Sequence, residues 1–176
     1  MRVDPLPEAE WDDDVRGALK GMLPKERQNP AGAGPMLSTL LRHPDLTKSF
    51  LGLSVHLLYR STLPPRLREV AILRVAHRRG CAYEWSHHVE MAEEVGLTGA
   101  DIEAITRGEA NGELDRLIVN AVDQLEEKSN VDDATWEALS EHLTERQRMD
   151  LVFTVGSYAM LAMAINTFEV PLEEGR

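Results

Sequence analysis

The sequence contains a single cysteine in 176 residues, which excludes a disulfide framework and suits a reducing compartment. Aromatic residues are also scarce, at 5%. Leu, Ala, Glu, Arg and Met are plentiful instead, and these residues favour an all-α protein over a sheet. Positive charge is short: 19 Lys and Arg face 30 Asp and Glu, a net charge of −11. That balance argues against general nucleic-acid binding and against anionic membranes, since both need a positive face. The opening stretch MRVDPLPEAE has no apolar segment after Arg2, so no secretory signal is read there and a cytoplasmic location is expected. What remains is a chain long enough to bury one core without covalent staples, expected as a single domain over 1–176.

Hydrophobic spacing and capping residues divide the chain into helices. Pro7 and the acids after it start a first helix whose apolar stripe is Trp11, Val15 and Leu19. From Leu23 to Pro35 the composition turns to Pro, Gly, Asn and Ala and reads as a loop, followed by a short helix from Met36 to Arg42. Pro44 opens a helix to about Arg60 with Leu46, Phe50, Leu53, Leu57 and Leu58 turned inward, and His56 on it is taken as structural. Thr98 with Asp101 caps a helix through Ile105, and Leu114, Leu117, Ile118, Ala121, Val122 and Leu125 make Glu113 to Lys128 amphipathic. Asp132 or Asp133 caps the next helix, and Thr144 with Gln147 starts the last.

The chemistry concentrates between Arg66 and Arg107. Read as a helix, Arg66 to Gly80 puts Glu69 on the same face as Ile72, Leu73 and Ala76, so a carboxylate shares the stripe that should face the core and needs a partner there. Gly80 suits the end of that helix, and a second can run from Cys81 to Val95 and stop at Gly96. On it Cys81, Glu84 and His88 line one face. If the two helices form an antiparallel hairpin, a rise of about 1.5 Å per residue brings Glu69 level with His88, with Glu84 one turn away and Cys81 beside the bend. Two carboxylates flanking an imidazole make a proton relay, and a thiol at a helix start is expected to gain thiolate character.

Glu69, the run AILRVA, Cys81, the YEW of Tyr83 to Trp85, His88 and the segment GLTGADIEAI together resemble the carboxymuconolactone decarboxylase family, which includes the alkylhydroperoxidase D-like proteins. The peroxidase branch of that family carries Glu, eleven residues, Cys-x-x-Cys, three residues, His. Glu69, Cys81 and His88 match it, and Glu84 stands where the second, peroxide-attacking cysteine would be. The resemblance implies an alkylhydroperoxidase D-like helical bundle, a homo-oligomer, often a trimer or hexamer, and an active site of Glu69, Cys81, Glu84 and His88 acting on a small-molecule substrate. The leading expectation is a cofactor-free enzyme moving protons on a small organic acid or lactone. Its rivals are a thiol-dependent peroxidase that uses Cys81 and an external reductant, and a non-catalytic oligomeric binding protein.

Several features carry plainer readings. Cys81 alone could be a small buried hydrophobe, Glu84 a first-turn acid and His88 a satisfied core histidine. No HxxxH or CxxC spacing supports a metal site, and none is expected. His87 is expected in solvent. Arg66, Arg68, Arg74, Arg78 and Arg79 look like an anion-binding patch, but Arg74 and Arg78 point nearly opposite Glu69 and are expected on a solvated or intersubunit face. From Leu151 to Phe168 the chain carries no formal charge, near the lower length for a membrane span. Its polar residues and flanking acids favour a helix buried on most sides, with Gly156, Ser157, Ala159 and Ala162 allowing close approach of other subunits.

Overall fold

The computed structural model describes residues 1–173; positions 174–176, within the expected single domain, lie outside the described residues. Among the described residues the secondary structure is helical throughout, with one isolated bridge between Lys20 and Leu23. The all-α class read from composition is the observed one. The chain divides into two compact units, one of residues 1–60 and 164–173, the other of residues 61–163.

The first unit starts with a 3-10 turn at Glu8–Glu10 and helix α1, Asp13–Ala18. The continuous first helix expected from Pro7 is broken because the Asp12 side chain accepts from Val15 N at 2.9 Å and restarts the helix there. Trp11, Val15 and Leu19 are buried as their spacing predicts, and the Trp11 indole donates to Leu6 O at 3.1 Å. Helix α2, Pro30–Leu40, begins six residues before the expected Met36, inside the stretch read as loop. Asn29 caps it through Gly32 N, and the Gly34-Pro35 pair, with Gly34 at φ 71°, kinks it; these are the residues that made the segment look irregular. Helix α3, Pro44–Val55, passes into a π turn at His56–Arg60. Leu46, expected inside, is 61% exposed, because α3 turns Thr47 and Leu51 inward instead; Leu57, in the π turn, is buried.

The second unit is organised around α4, Pro65–Arg78. Every residue from Glu69 to Ala76 is buried, so α4 is a central helix covered on all sides, not an amphipathic one with a single inward stripe. Helix α5, Ala82–Glu94, folds back on it after Gly80, whose φ of 58° closes the bend that Cys81 N completes by donating to Ala76 O at 2.9 Å. Helices α6, Gly99–Thr106, and α7, Glu113–Lys128, pack on α4 as well, and α8, Asp133–Ser140, packs on α7. The Thr98–Asp101 and Thr144–Gln147 capping boxes form as expected.

Arg74 corrects an expectation, whereas Arg78 is exposed as expected. Arg74 is 8% exposed, with Nε and Nη2 on the two oxygens of Asp123 at 2.7 and 3.0 Å and Nη1 on the carbonyls of Ile105 and Thr106. Arg78 reaches Asp123 and Glu127, Arg79 reaches Glu126, and Arg66 reaches Asp115. These side chains form the seam between α4 and α7, because α7 offers a row of acids on the face it turns to α4.

Helix α9, Glu145–Phe168, corrects another. The start of α4 is tied to it by Asp150, which accepts from the Thr62 backbone N–H and hydroxyl at 2.6 and 2.7 Å. Ser157, Ala159 and Ala162 are buried, but Met149, Phe153, Met160 and Met163 are 52%, 56%, 50% and 51% exposed, so one apolar face is open, not buried on most sides.

Candidate functional site

All four expected site residues sit in the α4–α5 hairpin, and all four are buried: Glu69 0%, Cys81 1%, Glu84 3% and His88 6% exposed. Antiparallel packing brings Glu69 and His88 together as the rise per residue requires, with Oε2 of Glu69 2.6 Å from Nδ1 of His88. A carboxylate oxygen at that distance accepts from a ring N–H, which puts the proton on Nδ1 and leaves Nε2 for other chemistry. The other Glu69 oxygen accepts from Nε of Arg68 at 3.0 Å. The carboxylate is therefore clamped by two donors, which is what permits its complete burial.

Cys81 and Glu84 form a second pair. Burial pushes Glu84 up to about 8, an effect that the nearby Cys81 thiol partly offsets. Apart from the Cys81 thiol beside it, neither Glu84 oxygen has a hydrogen-bonding partner among the described residues. The thiol itself is pushed up to about 12, first by burial and then by the Glu84 charge, against the lowering pull of backbone N–H groups at the start of α5. The thiolate character expected from the helix position is thus absent: desolvation outweighs the dipole in a sulfur with 1% exposure.

No direct hydrogen bond carries a proton from one pair to the other, because Glu84 has no such partner. The pairs share a face of α5 one turn apart, with the second ring nitrogen of His88 and the acid of Glu84 as their remaining proton-handling groups. Among the described residues no group of three or more His, Cys, Asp or Glu is placed to hold a metal ion.

Two further side chains shape the site. Arg68 escaped notice as a site residue because neighbours in a helix point about 100° apart, and only its length lets it curl back to Glu69. Tyr158, from α9, sets its ring edge-on to His88 with centroids 5.0 Å apart; nothing local in the sequence marks a contact across 70 positions. His87, expected in solvent, is half-buried and stacked on Tyr83 at 4.5 Å.

The sequence profile of the carboxymuconolactone decarboxylase family matches residues 44–127, a span that contains all four site residues and Arg68. No curated protein matches the chain. Among solved structures, the chain is similar to an alkylhydroperoxidase AhpD core, peroxidase-related protein of Ralstonia eutropha JMP134. Identity is 19%, TM-score 0.79, and the alignment covers 99% of this chain and 94% of that one. It is also similar to the debrominase Bmp8 at 17% identity and TM-score 0.74, covering 98% of this chain and 92% of that one. A peroxidase-related protein of Silicibacter sp. TM1040 aligns at 16% identity and TM-score 0.68, over 99% and 90% of the two chains. At these identities the likeness speaks for the fold.

Proposed function

Because the carboxymuconolactone decarboxylase family profile matches residues 44–127, the segment that holds the site, we propose that the chain is a member of that family and an enzyme that moves protons on a small organic acid or lactone without a bound cofactor. The observation that carries this reading is the pairing of a doubly clamped Glu69 on His88 with a buried acid one turn away whose carboxyl is pushed up to about 8 and meets only the Cys81 thiol. His88 acts through Nε2 as the base that takes a proton from substrate, Glu69 fixes its tautomer, and Arg68 fixes Glu69. Glu84, held up to about 8, supplies a proton at neutral pH to the carbon or oxygen where charge develops. Cys81 lines the site as a thiol.

The peroxidase alternative asks Cys81 for a thiolate, and a sulfur pushed up to about 12 is a poor source of one. That weighs against it, even though two of the similar structures are peroxidase-related proteins. The test is deuterium incorporation from D2O into candidate lactones and their ring-opened acids, followed by NMR, beside peroxide consumption with a dithiol. Proton exchange should fall at least about 100-fold in His88→Gln and survive within about tenfold in Cys81→Ser. Peroxide turnover that disappears in Cys81→Ser, with no exchange on any lactone, would overturn the proposal. A fall in melting temperature in Glu69→Gln, with no activity of either kind in the unaltered protein, would favour a non-catalytic scaffold.

A further inference from the structure

The hydrogen bond between His88 and Glu69 sets where Nδ1 points. A single hydrogen bond tolerates a broad range of angles, so the imidazole can still rock about it, and each rock re-aims the Nε2 lone pair. A base that must meet one substrate hydrogen needs a second constraint, because a misplacement of about 1 Å costs on the order of 100-fold in rate.

Tyr158 is placed to supply it. The phenol ring lies 5.0 Å from the imidazole, centroid to centroid, with the two planes at 86°. Rings this close touch, so a rocking imidazole must either push the phenol or open a gap beside it, and a close-packed interior resists both. The phenol is itself firmly seated. Thr154, Val155 and Ala162, within one turn of Tyr158 on α9, are all buried. Eight residues before it Asp150 accepts from the Thr62 N–H and hydroxyl, and Gln147 donates to the Thr62 carbonyl at 3.1 Å. These bonds pin α9 to the segment that opens α4, the helix that carries Glu69.

We propose that Tyr158 is a positioning residue of the site: it holds the tilt of the His88 ring while Glu69 holds Nδ1, so that Nε2 keeps a single aim. The imidazole is then gripped from two helices at once, α4 through Glu69 and α9 through Tyr158. This role rests on the proposed use of His88 as the base.

The test compares Tyr158→Phe, which keeps the ring, with Tyr158→Leu and Tyr158→Met, which remove it by two routes, each in the full chain with folding checked by circular dichroism. In the ringless variants kcat for deuterium exchange into the lactone the unaltered protein handles best should fall about 10- to 100-fold, with KM within about threefold. Tyr158→Phe should keep kcat within about threefold. A second readout needs no substrate. The proton on Nδ1 of His88, held against Glu69, should give a downfield 15N-coupled resonance in the unaltered protein and in Tyr158→Phe, and should be lost to solvent exchange in the ringless variants. Full rate and an intact resonance without the ring would overturn the inference. So would a loss in Tyr158→Phe as deep as in Tyr158→Leu, which assigns the role to the hydroxyl, or a rise in KM alone, which places Tyr158 in substrate binding. An unaltered protein that exchanges no lactone, with the resonance lost only when the ring is removed, would sink the proposed chemistry and leave the grip on His88 standing.

Discussion

Helices α4 and α9 are both rich in apolar residues, yet they treat burial in opposite ways. Helix α4 is covered on every side and carries charge into the interior: Glu69 at 0% exposure and Arg74 at 8%. Helix α9 has no charge between Leu151 and Phe168 and leaves four large apolar side chains half in water. The difference shows that sequence polarity does not report depth. A charged group goes inside when each of its polar atoms meets a partner, as Glu69 does with Arg68 and His88 and Arg74 does with Asp123 and two carbonyls. An apolar side chain stays outside when nothing in the chain is placed to cover it.

The comparison breaks most visibly at Glu69. Replacing it with Ala takes the carboxylate from the buried His88 imidazole and from Nε of Arg68 and should cost about 3–5 kcal/mol of unfolding free energy, read by denaturant titration; a loss under about 1 kcal/mol would mean that the clamp is not formed. Arg74→Ala comes next, at about 2–4 kcal/mol, because Asp123 and two carbonyls lose their donor together. Arg107→Ala serves as its control: Arg107 is half exposed and pairs with Glu103 across one turn, so its loss should be within about 0.5 kcal/mol.

A pH series sharpens the contrast between partnered and unpartnered acids. Glu84 holds its proton in the folded state up to about pH 8, whereas a free carboxyl releases it near 4.5. Between those values the native state binds more protons than the unfolded one, so stability should fall as pH rises from about 4.5 to about 8 and then level off. Glu84→Gln should flatten that slope, as followed by melting temperature against pH; an unchanged slope would assign the effect elsewhere. The smallest effect is expected on α9, where Phe153→Glu should change the stability of dilute protein by no more than about 0.5 kcal/mol, since its side chain already faces water.

Much of this was legible in the residues. The Gly80 bend and the 1.5 Å rise were enough to set Glu69 against His88, and the boundaries of α4 to α7 follow from Pro65, Gly80, Gly96, the Thr98–Asp101 box and Gly108. What escaped depends on partners distant in sequence or on the extent of burial. Arg74 reads as a surface arginine until α7 is known to present Asp123 to it. The sulfur of Cys81 reads as activated by a helix start until its desolvation is counted. Leu46 reads as an inward residue by its apolar character, but the face α3 buries is the one of Thr47 and Leu51, and no glycine or proline announces the π turn that ends the helix. Composition made α9 look like a core helix because an apolar run cannot say which of its faces is covered.

The central claim is that the hairpin holds one acid clamped as an acceptor and another as a proton donor. Its most direct test is a 13C NMR titration of the glutamate side-chain carboxyl carbons, with the Glu84 signal assigned by its absence in Glu84→Gln. The account predicts a midpoint near pH 8 for that signal. A midpoint in the ordinary carboxylate range, about 4 to 5, would contradict it.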